Sequence, residues 1–378
     1  MLIFISNYFN HHQVPLSQEL YNLTDGNFRF IELEEMPQSF KDSGYPSYDD
    51  CPMLVQAWKS ADNMKLANDL VRSAEVVIYG SIKSYKWITA RLNDGKLTFE
   101  CGERWLKRGW LNILSPRLLR AQWLYHTNYY NKPLYRLNAS AYAADDMKKL
   151  HSFKGRCYKW GYFTAVPDLD IEAVIRERAK NVKPSFIVVA RLISWKRVEL
   201  VVEAAKRLRE RGLSFDIDIY GSGPEKKKLE RRIAKYCLTD CVKLCGNVSN
   251  DKIHELMREH DALLFTSDKN EGWGAVANEA MSNGCPVIGS HAIGAVPFLI
   301  NDGVNGLVFE SGNIEHLASR MWKFAMSKEI QHDMAVQSYL TMKNDWSPAQ
   351  AARRLIRLIH DLQSGNSSEV AAGPCSLA

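Results

Sequence analysis

Residues 271–289 read EGWGAVANEAMSNGCPVIG. They follow an apolar run at 262–267 and end in a second apolar run that starts at Cys285. Short apolar runs bounded by glycine or polar residues predict buried strands. A helix is predicted between the two strands, beginning near Gly274 and ending at Gly284, since glycine commonly follows the last turn of a helix. The stretch therefore predicts a strand, a helix and a second strand of a parallel sheet.

The same stretch predicts a ligand site. Gly272 and Gly274 leave the backbone free to approach a ligand closely. A helix that leaves a parallel sheet presents unpaired N–H groups and a positive dipole end, which suit a diphosphate. Glu279 lies about five residues into the helix, roughly 7 Å along its axis. A carboxylate at that depth can accept hydrogen bonds from both hydroxyls of a ribose, and Glu271 then faces the other end of the ligand.

This pattern resembles the E-x7-E signature of the retaining GT-B glycosyltransferases, particularly glycosyltransferase family 4, the group 1 glycosyl transferases. The resemblance covers residues 186–309 well and the N-terminal half only in architecture. It implies that Glu271 holds the transferred sugar and Glu279 the ribose. It also implies that backbone amides hold the phosphates, in the segment Gly272, Trp273, Gly274, Ala275 and Val276. The alternative is a pair of surface glutamates on an ordinary α/β helix.

Further donor contacts follow from the resemblance. Arg191 and Lys196 come after the apolar strand that opens the second domain, and the family commonly binds the donor diphosphate with an Arg and a Lys at this spacing. Two cations can neutralise a leaving diphosphate without a divalent metal, so no metal and no other cofactor are expected. Gly221, in the turn Gly-Ser-Gly-Pro, is expected near the nucleotide, and Val248 is expected to contact the base.

The first domain is predicted from apolar runs at 2–6, 28–33, 75–80 and 97–102, which alternate with helical segments. The loop at 7–15 follows the first strand and so faces the ligand crevice. His11 and His12 in this loop are acceptor contacts or surface residues. Many family members place a His at the strand end near residue 102. Here the polar groups available are Glu100, Glu103 and Arg104, and Glu103 is assigned the catalytic contact.

The predicted fold class is α/β, of the GT-B type, with two Rossmann-like domains facing a central cleft. Residues 1–165 form the acceptor-binding domain and residues 166–345 the nucleotide-sugar-binding domain. A C-terminal helix at 346–363, with Ser347 as N-cap and Pro348 in its first turn, crosses back to the first domain. Residues 364–378 are small and polar, which predicts a disordered tail.

Composition agrees with an ordinary globular protein, since 46% of the residues are hydrophobic and 24% are charged. No apolar run is long enough to cross a bilayer, and the first residues predict a strand rather than a signal peptide. The expected location is the cytoplasm, at the inner face of the cytoplasmic membrane. The eight cysteines lack CxxC spacing. The four-residue spacing of Cys237, Cys241 and Cys245 is not taken as a metal site, because Cys237 ends a helical stretch, Cys245 belongs to a following strand and no His lies at ligand spacing.

The formal net charge of +6 favours anionic ligands or an anionic membrane surface and is too small to indicate nucleic-acid binding. Basic and aromatic residues are mixed in the segment from Arg104 to Arg120. Such a segment can lie on an anionic bilayer, with Lys107, Arg108, Arg117 and Arg120 towards the headgroups. The alternative is an amphipathic core helix with a solvated basic face.

The function implied is retaining transfer of a sugar from a nucleotide diphosphate sugar to a hydroxyl of a glycan or lipid-linked acceptor, in bacterial cell-surface polysaccharide synthesis. Two alternatives remain. One is another GT-B nucleotide-sugar reaction such as epimerisation, and the other is a catalytically silent protein that binds the donor for a partner transferase. The presence of Glu271, Glu279, Arg191 and Lys196 together favours the transferase.

Overall fold

Two parallel β-sheets organise the chain, one in each of two units. The computed structural model describes residues 1–38, 48–82, 86–107 and 109–378. The first unit comprises Met1–Thr164 and Trp346–Ala378, and the second comprises Ala165–Asp345. The chain thus leaves the first unit once and returns to it for its last residues.

The strands are short and mostly apolar, as expected for parallel strands covered by helices on both faces. In chain order they are β1 (Leu2–Ser6), β2 (Phe28–Glu32), β3 (Leu54–Gln56), β4 (Val76–Tyr79), β5 (Thr98–Gly102), β6 (Leu134–Asn138), β7 (Cys157–Lys159), β8 (Ser185–Val189), β9 (Asp216–Tyr220), β10 (Val242–Gly246), β11 (Ala262–Phe265), β12 (Val287–Ser290) and β13 (Gly306–Phe309).

The helices connect and cover these strands. They are α1 (Val14–Leu23), α2 (Ala61–Ser73), α3 (Lys86–Asn93), α4 (Pro116–Gln122), α5 (Ala143–Lys149), α6 (Ile171–Arg178), α7 (Glu199–Glu210), α8 (Lys226–Lys235), α9 (Asn250–Glu259), α10 (Val276–Ser282), α11 (Val296–Leu299), α12 (Ile314–Ala325), α13 (Lys328–Asn344) and α14 (Pro348–Gln363). Short 3₁₀ turns occupy Trp110–Leu114 and Ser194–Lys196, and a π-helical turn occupies Trp123–Asn128.

Both sheets have the doubly wound order of a Rossmann-like domain. The first runs β3-β2-β1-β4-β5-β6-β7 and the second β10-β9-β8-β11-β12-β13. All the strand pairs are parallel, so the carboxyl ends of the strands of one sheet lie along one edge. The order reverses between β1 and β4 in the first sheet and between β8 and β11 in the second. In such sheets ligands bind beside that reversal, outside the carboxyl ends of the strands.

Helix α14 belongs to the first unit and packs against α1. It begins as the sequence predicts, because the hydroxyl of Ser347 accepts a hydrogen bond from the amide of Gln350 and Pro348 occupies the first turn. Its buried residues include Ala351, Leu355 and Leu358. The helix is therefore held through an apolar face to the unit that contains the N-terminus.

The tail after α14 differs from the predicted disorder. Cys375 is fully buried, and the segment that contains it lies along β7. The amide of Lys159 donates to the carbonyl of Ser376 at 2.8 Å, and the amide of Cys375 donates to the carbonyl of Lys159 at 2.8 Å. Composition could not predict this order, because the energy comes from one buried side chain and from backbone bonds to an otherwise open sheet edge.

Candidate functional site

Two segments meet at the strand reversal of the second sheet. The segment after β8 carries Arg191 and Lys196, and the segment after β11 carries Glu271. Their backbones are joined directly. The hydroxyl of Thr266 donates to the carbonyl of Lys196 at 2.9 Å, and the amide of Asp268 donates to the carbonyl of Trp195 at 3.0 Å. The two segments therefore hold the lysine and glutamate side chains at a fixed separation.

Glu271 and Lys196 form an ion pair at this edge. Oε2 of Glu271 accepts a hydrogen bond from Nζ of Lys196 at 2.5 Å and another from the hydroxyl of Ser267 at 2.8 Å. Both charged side chains are nearly buried, with 12% and 11% of their surfaces exposed. Ser267, 1% exposed, was not singled out from the sequence, although a serine directly after a buried strand is the signal that could have found it.

Arg191 also lies near the ring of Trp195. Its guanidinium carbon is 5.9 Å from the centroid of the Trp195 ring, and Nζ of Lys196 is 4.7 Å from the same ring. Arg191 is exposed, and it forms no ion pair with any residue that the structure describes. The ring of Trp195 thus contacts two cations, of which one is paired and one faces solvent.

Glu279 lies in the first turn of α10 and is 8% exposed. Within the second unit, its carboxylate takes part in no hydrogen bond or ion pair. Burial raises the pKa of Glu279 to about 7, because the ionised form loses its hydration. A buried carboxylate with perturbed titration and no protein partner is typical of a group that receives its hydrogen bonds from a ligand.

The residues between the two glutamates are largely structural. Trp273 is 1% exposed, donates through Nε1 to Asn278 at 2.8 Å, and packs on Phe298. Gly274 has φ +95°, and a Cβ there would lie 2.4 Å from Cζ of Phe265. The close contact with Phe265 is therefore enough to require glycine at position 274, whether or not a ligand binds there. Helix α10 begins at Val276, two residues later than predicted.

The phosphate contacts of the backbone amides of Gly272, Trp273, Gly274, Ala275 and Val276 stay a prediction. The base contact of Val248 also stays a prediction; its side chain is 41% exposed and lies two residues beyond β10. Gly221 has a local reason for being glycine. Its φ is +137°, and a Cβ would lie 1.9 Å from the carbonyl oxygen of Ala190. The turn containing Gly221 therefore supports the segment that carries Arg191.

A cavity of about 390 Å³ opens at the corresponding edge of the first sheet. All of its lining residues belong to the first unit, and most of them follow the carboxyl ends of β1, β4, β5, β6 and β7. Polar side chains and aromatic rings alternate around it: Asn7, Tyr8, Asn10, His12, Gln13, Glu103, Trp160 and Tyr162. His12 thus lines the cavity as one of the expected acceptor contacts, whereas His11 is not among the lining residues. The sequence pattern did not assign Trp160 and Tyr162 to a site, although both follow a strand end.

The structure distinguishes the three polar residues in the last part of β5 and directly after it. Glu100 is buried and bonded to the guanidinium of Arg136, and Arg104 pairs with Asp146 at 3.3 Å. Only Glu103 of the three lines the cavity. Its carboxylate accepts a hydrogen bond from the hydroxyl of Tyr162 at 2.9 Å and another from the ammonium of Lys107. Its predicted catalytic role stays a prediction.

The second unit carries a family pattern. Residues 170–341 match the family described as glycosyl transferases group 1. This glycosyl transferase segment contains the Lys196–Glu271 pair, Glu279 and Arg191, and it extends over most of the second unit. The family match therefore covers the sheet whose strand reversal holds the two glutamates.

Curated relatives agree with the family match. The chain is 26% identical over 195 residues to the putative colanic acid biosynthesis glycosyltransferase WcaL of Salmonella typhimurium, covering 49% of this chain and 47% of that protein. It is 28% identical over 179 residues to the amylovoran biosynthesis glycosyltransferase AmsK of Erwinia amylovora, covering 46% and 44%. The chain thus spans about half the length of the curated relatives it matches.

Solved structures match over nearly the whole chain. A glycosyltransferase from Rickettsia africae has a TM-score of 0.70 at 14% identity, covering 97% of this chain and 99% of the other. Anabaena HepE, solved in complex with UDP, has a TM-score of 0.69 at 14% identity, covering 96% and 99%. The expected α/β fold with two Rossmann-like domains, shared with the GT-B glycosyltransferases, is confirmed.

Proposed function

We propose that this protein is a retaining glycosyltransferase that moves a sugar from a nucleotide diphosphate sugar to a hydroxyl of a glycan or lipid-linked acceptor. The observation that carries the proposal is a pair of nearly buried carboxylates, eight residues apart, at the strand reversal of the group 1 glycosyl transferase segment. Glu271 is held by Lys196, and Glu279 has no side-chain partner within the second unit.

Two cations are proposed to neutralise the negative charge of the leaving diphosphate. Lys196 and Arg191 both lie within 5.9 Å of the centroid of the Trp195 ring, so we propose that a diphosphate bound there contacts one ammonium and one guanidinium. Negative charge grows on the diphosphate as its bond to the sugar breaks, and fixed cations stabilise that charge in the transition state. Transfer by this protein is accordingly proposed to need no metal ion.

The two glutamates then have different tasks. Glu279 accepts hydrogen bonds from the ribose hydroxyls, which supply the partners that its buried carboxylate lacks. Glu271 accepts hydrogen bonds from the transferred sugar. A glycosidase mechanism would need both carboxylates beside one bond, and here one is assigned to the ribose. In the proposed front-face reaction, the bond from the anomeric carbon to the phosphate breaks, the acceptor oxygen bonds to the same face, and its proton passes to the leaving diphosphate.

The acceptor is proposed to enter the cavity of the first unit. Aromatic rings such as Trp160 and Tyr162 suit the apolar face of a sugar ring, and the polar groups of Asn10, Gln13 and Glu103 suit its hydroxyls. The names of WcaL and AmsK point to surface polysaccharide synthesis in bacteria, and we propose that context here, in the cytoplasm at the inner face of the membrane.

Calorimetric titration in EDTA tests the donor site. UDP, GDP, ADP and their common sugar conjugates are titrated into the full chain, starting with UDP because Anabaena HepE was solved with it. We expect micromolar binding of one nucleotide family, weakened about tenfold or more by Lys196→Ala and by Glu279→Gln. Absence of binding to any nucleotide, or binding only after Mg²⁺ or Mn²⁺ is added, contradicts the proposal.

Stereochemistry is tested separately once a donor is known. Proton NMR of the product formed from an α-linked donor is expected to show an α-linked sugar. A β-linked product overturns retention, and turnover of the donor to an epimer without an acceptor overturns transfer. Binding without turnover across a set of glycan and lipid-linked acceptors would instead support a silent donor-binding protein.

A further inference from the structure

The first unit exposes large apolar side chains in one short segment. Leu111 is 60% exposed, Leu114 66%, Leu119 49% and Trp123 54%. Single exposed apolar residues are common on proteins, but several large ones within thirteen residues mark an interaction surface. The surface formed by these four residues is called here the apolar patch.

The apolar patch is built on consecutive helical turns. Leu111 and Leu114 are three residues apart on a 3₁₀ turn, where such side chains are aligned. Leu119 and Trp123 are four residues apart where α4 runs into the π-helical turn, and that spacing puts them on one helix face. The opposite face carries Ala121 and Leu124, which are buried. The segment therefore has apolar residues on two faces, one packed in the core and one exposed to solvent.

The charged residues in the segment around the apolar patch are all basic. Residues 104–144 contain no Asp or Glu, but they contain Arg104, Lys107, Arg108, Arg117, Arg120, Lys132 and Arg136. Three of these cations bond to carboxylates elsewhere in the unit: Lys107 to Glu103, Arg104 to Asp146 and Arg136 to Glu100. Arg117 and Arg120 are exposed and form no ion pair with a described residue. Arg108 lies outside the described residues.

We propose that the apolar patch, with Arg117 and Arg120, docks this protein on the anionic surface of a lipid bilayer. Trp is favoured at the boundary between headgroups and acyl chains, and leucine side chains gain free energy by entering it. Arginine beside them can reach anionic headgroups while its stem lies along the apolar region. A bilayer matches both parts of this surface: its acyl chains suit the apolar patch, and its anionic headgroups suit Arg117 and Arg120.

The docking surface differs from the segment Arg104–Arg120 considered from the sequence. Leu106 is 6% exposed, and Lys107 is engaged at the cavity, so the N-terminal part of that segment does not belong to the surface. Trp123, beyond its C-terminal limit, does belong to it. Among the described helices, none combines the length and the apolar character needed to span a bilayer. Docking does not depend on the proposed transfer reaction.

Co-flotation of the full chain with vesicles tests the proposal without any donor. Vesicles contain either phosphatidylcholine alone or phosphatidylcholine with 30–40 mol% (about one third) phosphatidylglycerol, a content at which anionic surface potential drives basic surfaces to bind. We expect the protein to float with the anionic vesicles and to be released by about 0.5 M salt. We also expect Leu111→Gln/Leu114→Gln and Arg117→Glu/Arg120→Glu each to lower binding about tenfold or more.

Two matched variants control for general effects. Leu23 and Leu66 are exposed in the same unit, at 43% and 47%, so Leu23→Gln/Leu66→Gln removes apolar surface away from the patch. Lys227 and Arg231 are exposed on α8, so Lys227→Glu/Arg231→Glu changes the net charge by the same amount as the arginine variant. Both controls are expected to float like the wild type. Equal losses in a control and in its matched patch variant overturn the proposal.

Depth of insertion is measured by quenching of tryptophan fluorescence with brominated lipids. The quenched fraction is expected to fall when Trp123 is replaced by Phe, while circular dichroism shows that the fold is retained. Unchanged quenching in Trp123→Phe, or wild-type protein that stays at the bottom of the gradient with anionic vesicles, refutes docking on a bilayer. If the wild-type protein does not float with anionic vesicles, the apolar patch would instead be expected to bind another protein.

Discussion

Glu279 is a buried acid whose pKa of about 7 results from burial alone. Because the folded-state pKa lies above the ordinary value of 4.5, the folded protein holds this proton more tightly than the unfolded chain does. Stability is therefore greatest at low pH with respect to this group, and it decreases as the pH rises from about 4.5 to 7. We expect Glu279→Gln to raise the free energy of unfolding at pH 8 by up to roughly 3 kcal/mol, and by much less at pH 5.

Urea unfolding at both pH values measures this difference, with Glu259→Gln as control because Glu259 is 60% exposed. The same substitution is expected to weaken binding of the nucleoside diphosphate, since the amide cannot accept as two charged oxygens do. Wild-type affinity should decline below about pH 7, whereas the affinity of the variant should not change there. A variant that is less stable at both pH values and binds nucleotide normally would make Glu279 a structural residue.

Lys196 has two anionic partners in the proposed reaction, Glu271 in the free protein and the diphosphate in the complex. Removing the negative charge with Glu271→Gln frees the ammonium, so UDP or the cognate nucleotide should bind as well as before or a few-fold more tightly, while turnover falls about 100-fold or more. Lys196→Ala should instead weaken nucleotide binding about tenfold or more.

Calorimetry with the nucleotide alone and turnover with the sugar conjugate separate the two effects. Lys235→Ala serves as control, because Lys235 is an exposed lysine on α8. Equal losses of nucleotide affinity in Glu271→Gln and Lys196→Ala would mean that the pair acts only as a structural unit.

At the scale of elements, the turn after β9 fixes the segment after β8. The amide of Leu192 donates to the carbonyl of Ser222 at 2.8 Å, and Gly221 leaves no room for a Cβ beside Ala190. We expect Gly221→Ala to lower the free energy of unfolding by about 3–5 kcal/mol and to weaken nucleotide binding, because it displaces the segment that carries Arg191.

Gly212→Ala is the matched control, since Gly212 also has a positive φ of +83° but no atom within 4 Å of the added Cβ. It should cost only the conformational strain, about 1–2 kcal/mol. Urea unfolding measures both variants. Similar costs for the two would show that backbone conformation, and not the contact with Ala190, decides the role of Gly221.

Helices and strands with a strong apolar pattern could be predicted from the sequence. Strands whose geometry depends on pairing with a neighbouring strand could not. The first strand was predicted over 2–6 and extends over Leu2–Ser6, and the N-cap of the last helix was predicted at Ser347. Strand β3, Leu54–Gln56, was not predicted, because its three half-buried residues form neither an alternating pattern nor an apolar run. Its strand geometry comes from pairing with β2.

At the scale of the whole molecule, the candidate sites show the same contrast: features that are local in sequence could be predicted, and features that depend on distant pairing could not. The spacing of Glu271 and Glu279, and of Arg191 and Lys196, is local in sequence and could be recognised there. The sequence could not tell Glu100 from Glu103, because the difference arises from Arg136 on the neighbouring strand, which engages the first and leaves the second at the cavity. Pairing between distant segments is set by tertiary structure, and the tail shows the same dependence.

The tail covers an edge of the first sheet. Strand β7 is the last in its sheet, and the backbone from Cys375 to Ala378 bonds to it. Cys375 is fully buried, with φ +67°. A carboxylate at this position would be buried without a partner, so we expect Cys375→Asp to lower the free energy of unfolding of the first unit by about 3 kcal/mol or more. The uncovered strand edge should also promote aggregation.

Cys237 gives a matched control, because it also has a positive φ, +53°, but is exposed. Aspartate tolerates this backbone conformation in both places, so the two variants differ mainly in burial. Cys237→Asp should change stability by less than about 0.5 kcal/mol. Hydrogen exchange then locates the effect: the amide of Lys159, which bonds to Ser376, should lose protection in Cys375→Asp and keep it in Cys237→Asp. If protection and stability were the same in both variants, the tail would contribute nothing to the first unit, and the disorder predicted from its composition would be the better description.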